Sequence, residues 1–238
     1  MNTKNYLVLT MILFLGVTES IQAQNFLPGF NGFSRKKTTY VHLEDGTTTE
    51  GNLKGFNYKK GLIKAIYIKD ASENKVKIEP KDIVYMYLPP SNLAKLGNFG
   101  KFITDAQQWK NKNLDQNLFK EGYTFFEKSE VQIKKKTQTL MVQLVNPDFS
   151  NKIKVYQDPF AGETASIGIG PLKAGGIAKS YYVKKDGEAV AIRLKKKNYE
   201  EEFKEFFGDC PAMIEKYGDE IKWSEFAKHI YEYTNECN

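Results

Sequence analysis

The chain has 238 residues and a formal net charge of +6, with only two cysteines and two histidines. Two cysteines without nearby histidines cannot build a tetrahedral zinc site, and His42 and His229 lie too far apart in sequence for a zinc-type motif. Ser-His-Asp or Cys-His chemistry needs a histidine beside a nucleophile; Cys237 is the nearest thiol to His229, and a disulfide-bonded cysteine is no thiolate.

The N-terminus reads as a secretory signal. Lys4 precedes an apolar core, Leu7 to Val17, and Thr18 to Ala23 form a polar exit ending in a small residue. At 1.5 Å per residue the core reaches about 17 Å, short of the roughly 30 Å hydrocarbon layer, which argues against a permanent anchor. The expected cut follows Ala23, although Ile21 at the −3 position is larger than usual. No cysteine follows the core to carry a lipid anchor, and no later stretch is long and apolar enough to span a membrane. The predicted location is periplasmic or secreted.

The charges of Lys4 and Glu19 cancel, so the mature chain keeps the full +6. Lysines spread among Glu and Asp read first as an ordinary solvated surface. Cys210 and Cys237 both fall in the last 30 residues, and an oxidising compartment makes them a predicted disulfide, with two free thiols as the alternative.

Residues 24–37, rich in Phe, Gly and Asn and then basic, read as a loose leader. Residues 38–90 read as a small β unit, a barrel or curled sheet. Thr39 to Leu43, Leu62 to Ile68, Val76 and Ile78 with their alternating lysines, and Ile83 to Leu88 carry strand signatures. Asp45-Gly46 is a turn pair, but a two-residue loop there sets Val41 against Glu50. Pro89-Pro90 ends the unit, because proline has no donor for a sheet.

Residues 91–121 lose the alternation. Leu93, Leu96, Phe99, Phe102, Ile103, Trp109, Leu114, Leu118 and Phe119 recur at helical spacings, which predicts a connector of short helices. Residues 122–197 form a second, mainly antiparallel β unit, with alternation at Val131/Ile133, at Leu140/Val142/Leu144 and at Ile153/Val155. Asn146-Pro147-Asp148 and Asp158-Pro159 mark turns. A hairpin across Asp186-Gly187 sets Val183 against Val190 and Tyr181 against Ile192. Residues 198–238 switch to a helical cap, with Phe203, Phe206 and Phe207 on one face and Gly208 as a stop. Pro211 opens a second helix. Trp223, Phe226, Ala227, Ile230 and Tyr231 form the apolar stripe of a third. The predicted fold is α+β: two mainly antiparallel β units joined by short helices and closed by this cap.

Candidate chemistry is thin. Gly168 to Gly176 begins as G-x-G, but Lys173 stands in the place of the third glycine and Pro171 removes a donor, so a phosphate cradle fails on context. Asp148, Asp158 and Glu163 lack the dense spacing of a calcium loop. His42 and His229 read as surface or half-buried residues. Two basic runs, Lys134-Lys135-Lys136 and the stretch holding Arg193 and Lys195, are candidate contacts for a polyanion, with Tyr181 and Tyr182 as stacking partners. The alternative is that they are solvated strand ends.

The blocks Ile83 to Pro90, Asp158-Pro159-Phe160-Ala161, Lys179 to Val183 and Asp209-Cys210-Pro211 resemble those of uncharacterised exported proteins of Gram-negative bacteria. The resemblance covers most of the mature chain and implies export; it implies no activity and no catalytic residue. The leading expectation is a non-enzymatic binding or envelope-assembly protein without cofactor or metal. Its expected partner is an envelope protein or an anionic glycan or lipid, and export argues against nucleic acid. The alternative is an exported hydrolase acting on glycan or peptide through carboxylates that sequence cannot pair.

Overall fold

The computed structural model of the protein describes residues 26–30, 32–70, 72–91, 114–164 and 176–237. The predicted signal with its cut after Ala23, most of the predicted helical connector and nearly all of the glycine-rich stretch lie outside the described residues.

The first β segment supplies β1 (Thr38–Leu43), β2 (Thr48–Lys59), β3 (Leu62–Lys69), β4 (Lys75–Ile78) and β5 (Ile83–Leu88). A short helix, α1 (Gln116–Lys120), leads to β6 (Thr124–Ile133), β7 (Lys136–Gln143), β8 (Ile153–Gln157), β9 (Ser180–Lys185) and β10 (Val190–Lys195). Three helices follow: α2 (Tyr199–Phe207), α3 (Pro211–Tyr217) and α4 (Phe226–Glu236). The class is α+β and mostly β, as the sequence predicts.

The predicted end of the first β unit at Pro89-Pro90 does not interrupt the sheet. β5 pairs antiparallel with β6, and β7 returns to touch β3 through Ile63 and Met141. β3, β2, β1, β5, β6 and β7 therefore close into a six-stranded antiparallel barrel drawn from both β segments. β6 also pairs in parallel with β10 at Glu130 and Val131, and β10, β9 and β8 extend the sheet beyond the barrel.

Curling so few strands needs local breaks in pleating. The register slips by one residue at Lys54 in β2, Lys64 in β3 and Val84 in β5. Each slip leaves an extra residue pointing outward, all three are exposed, and the strand bends there. Val41, Ile66, Ile83, Met86, Leu88 and Phe126 fill the barrel interior. Full burial of each such side chain stabilises by about 1.5–3 kcal/mol. A second, aromatic core lies between β8–β10 and the helices, where Tyr199, Phe203, Phe207 and Phe226 are nearly inaccessible.

Two hairpin registers differ from expectation. Thr47 N–H donates to Asp45 Oδ1 at 2.9 Å, Leu43 N–H donates to the Thr47 carbonyl, and Gly46 takes φ +82°. The loop is therefore three residues long, and Val41 faces Thr49 rather than Glu50. In the second hairpin, Asp186 N–H is drawn to the Lys152 carbonyl at 2.7 Å. The loop opens to four residues, so Val183 faces Ile192 and Tyr181 faces Leu194.

Within the predicted loose leader, 24–37, the described residues 26–30 are packed against the body of the protein. Leu27 and Phe30 are buried, and Phe26 packs its ring against Phe149, Tyr181 and Phe226. The buried Gln143 amide clamps the segment: its Nε2 donates to the Pro28 carbonyl and its Oε1 accepts from Phe30 N–H, both at 2.9 Å. Composition marked the segment as loose because its partners sit more than 110 residues away.

The C-terminal helices carry a stripe rotated from the predicted one. Ala227 and Tyr231 are half-buried, while His229 and Tyr233 face the core. The predicted surface or half-buried reading of His229 is thus corrected: its relative exposure is 0%. Its Nδ1 meets the Tyr199 hydroxyl at 2.7 Å, and its Nε2 has no hydrogen-bond partner among the described residues. Nearby, the Tyr217 hydroxyl and the Lys216 ammonium donate to Glu232, and together they outweigh burial and hold its carboxyl below the usual range. Cys210 and Cys237 stand at disulfide distance, with Cα atoms 5.6 Å apart, and join the start of α3 to the end of α4.

Replacing both cysteines by serine should lower stability by about 3–4 kcal/mol on the chain-entropy argument, read as a shift of the urea midpoint. Burial pushes the His229 pKa from 6.5 down to about 4. Between those values the unfolded chain binds a proton that the native ring refuses, so stability falls as pH drops through this window and levels below it. The expected loss is about 3 kcal/mol, and His229→Gln should flatten stability across the same window in denaturation at stepped pH.

Candidate functional site

The alternation of β8, β9 and β10 places Tyr156, Asp158, Ser180, Tyr182, Arg193 and Lys195 on one face of the extension sheet. At its centre the Asp158 carboxylate is almost wholly buried. Its Oδ2 accepts from Arg193 Nε at 2.5 Å and from the Ser180 hydroxyl at 2.6 Å. Its Oδ1 accepts from Phe160 N–H at 3.1 Å, closing a turn that leaves the Phe160 ring 64% exposed. A buried carboxylate is tolerable only with such partners.

Asp158, Tyr182, Arg193 and Lys195 of this face line a cleft of about 940 Å³, together with Val183, Ile192 and Leu194 of the opposite face. Lys60 enters it from the β2–β3 hairpin, Lys134 from the β6–β7 hairpin, and Arg193 and Lys195 from β10. Phe160 and Tyr182 supply aromatic walls. Burial raises the Tyr182 hydroxyl above its ordinary pKa, so it stays neutral. Glu188, Glu202 and Glu205 line the same cleft, and Lys185 is tied to Asp209 at 2.7 Å. Lys60, Lys134 and Lys195 make no ion pair among the described residues. Lys60 and Lys134 both hold positive φ, 50° and 58°, where a side chain with Cβ is disfavoured. A smaller basic hollow of about 420 Å³, lined by Lys179, Lys196 and Lys197, shares Arg193 and Lys195 with the cleft.

The structure thus brings together Lys134, Arg193 and Lys195 of the predicted polyanion contacts. Lys135 and Lys136 stay on the outside of the same hairpin. Tyr182 lines the cleft, but Tyr181 points into the core and stacks on Trp223, with ring centroids 6.0 Å apart. Lys60 was missed by the sequence reading. The signal available was the Lys60-Gly61 pair between two strands, a two-residue loop with both φ values positive. Asp158, weighed as a calcium ligand, is committed to Arg193 and Ser180.

Beside the cleft, a pocket of about 370 Å³ opens at the barrel seam where Ile63 meets Met141. Gly61 makes the junction possible. A Cβ at Gly61 would stand 2.8 Å from Pro159 Cβ and 3.1 Å from the Phe160 ring, and Gly61 has φ +77°.

Arg193→Leu should strand the Asp158 carboxylate in an apolar setting and lower stability by about 2–4 kcal/mol. Asp158→Asn combined with Arg193→Leu should recover part of that loss, and a double-mutant cycle on denaturation midpoints reads the coupling.

Compared with protein-family models, curated proteins and solved structures, the chain matches none.

Proposed function

We propose that this is an exported, non-enzymatic binding protein of the periplasm or cell exterior whose ligand carries several negative charges. The observation that carries the reading is the convergence of Lys60, Lys134 and Lys195 from three separate segments on one cleft, without ion-pair partners among the described residues. Lys60, Lys134, Lys185, Arg193 and Lys195 outnumber Asp158, Glu188, Glu202 and Glu205 in the lining by one charge, and a net positive cleft walled by low-dielectric protein raises the local concentration of anions. Because the basic hollow shares Arg193 and Lys195 with the cleft, the favourable potential runs along the sheet. An elongated anion such as an acidic glycan, or a lipid head group bearing several charges, suits that shape. The cysteine pair at disulfide distance suits an oxidising compartment. Among the described residues no helix is long and apolar enough to cross a membrane.

Titration with an oligogalacturonate and with vesicles containing anionic lipid tests the reading. Binding should weaken steeply as salt rises. The triple variant Lys60→Glu/Lys134→Glu/Lys195→Glu should lose at least tenfold in affinity, at about 1 kcal/mol per cation. Absence of binding to both probes, or retention that ignores salt, would remove the proposal.

A further inference from the structure

The cationic cleft and the seam pocket meet at a shared boundary. Phe160 lines both. The β2–β3 hairpin straddles the same line, with Lys60 on the cleft side and Tyr58 and Gly61 on the pocket side. The pocket walls are mostly apolar, Phe33, Leu62, Ile63, Phe126 and Met141 among them, with Gln143 and Gln157 as the polar side chains of the lining. The Gln143 amide among them is already spent on Pro28 and Phe30 and offers nothing to a polar ligand. At the mouth, Phe160 is 64% and Tyr58 52% exposed, so two large rings stand in water beside an apolar hollow.

A purely polar anion would leave this pocket wet, and a purely apolar molecule would ignore the cations. We infer that the site takes an amphiphile, with a single acyl chain in the seam pocket and an anionic head in the cleft. The inference rests on the anion-binding reading above and extends it. The pocket volume lies at the low end for small-ligand sites, which suits one chain rather than two. Beyond it the barrel interior is filled by Val41, Ile66, Ile83 and Met86, so the chain must stop where the packed core begins.

Calorimetric titration with straight-chain alkyl carboxylates of about six to about fourteen carbons, below their micelle concentrations, should show affinity rising about fourfold per methylene and then a plateau when the pocket is full. Primary alcohols of the same lengths should bind at least tenfold more weakly. Phe160→Asp and Tyr58→Asp, both on exposed rims and checked for folding by circular dichroism, should flatten the dependence on chain length. Lys60→Glu should weaken every acid equally and keep that dependence. A series that is flat in chain length, or alcohols that match the acids, overturns the inference. If the series is flat while oligogalacturonate still binds, the amphiphile reading falls and the anion reading stands. If neither probe binds, both fall.

Discussion

Asp158 is the residue on which the site is assembled. Its carboxylate sits where water does not reach, and it is stable there only because Arg193, Ser180 and the Phe160 amide all donate to it. Each donor belongs to a different strand or turn, so satisfying one charge fixes three pieces of chain. Arg193 is drawn across β9, the first turn of β9 is held to the end of β8, and the Pro159-Phe160 turn is set against Gly61. The outward aim of the Phe160 ring, and with it the boundary between cleft and pocket, follows from that single desolvated charge.

The barrel and the extension sheet depend on each other through β6. β7 runs along β6 from Phe126 to Ile133, while β5 pairs with its first residues, Thr124 to Glu127, and β10 with Glu130 and Val131. Glu127, on β6, accepts from the Tyr156 hydroxyl at 2.6 Å and from the Lys154 ammonium at 2.8 Å, which locks β8 to the barrel. Residues 26–30 cross the same junction, held by Gln143 from β7 and by the aromatic core. The cleft lies between parts that this strand and this segment bind together, so its shape is set by the junction and not by either β segment alone.

Much of the fold was legible from local pattern. Strands with β-branched alternation, such as Leu62–Lys69 and Lys75–Ile78, stand where the sequence puts them, as do the glycine stop after α2 and the proline start of α3. β2 is the longest strand and has almost no signature: in Thr48–Lys59 only Leu53 is buried, and two glycines interrupt the run. Its order comes from neighbours on both sides. Hairpin register was illegible for a similar reason, since distant groups such as the Lys152 carbonyl set the loop length. Lys134, Arg193 and Lys195 announced themselves as basic runs. That Lys60 would stand beside them depends on barrel closure, which rests on the distant pairing of β3 with β7 and leaves no mark in a sequence window. His229 was read as surface or half-buried, whereas the three- and four-residue spacing from Phe226 to Tyr233 places it on the buried stripe.

The left-handed backbone of Lys60 and Lys134 has an evolutionary consequence. At such positions glycine or asparagine relieves roughly 1–2 kcal/mol of steric conflict that any longer side chain retains. A lineage selected for thermal endurance alone would drift toward those residues at both hairpin tips and lose two of the cations that face the cleft. Lysine at both tips therefore keeps two cations facing the cleft at a cost in backbone strain that glycine would not carry.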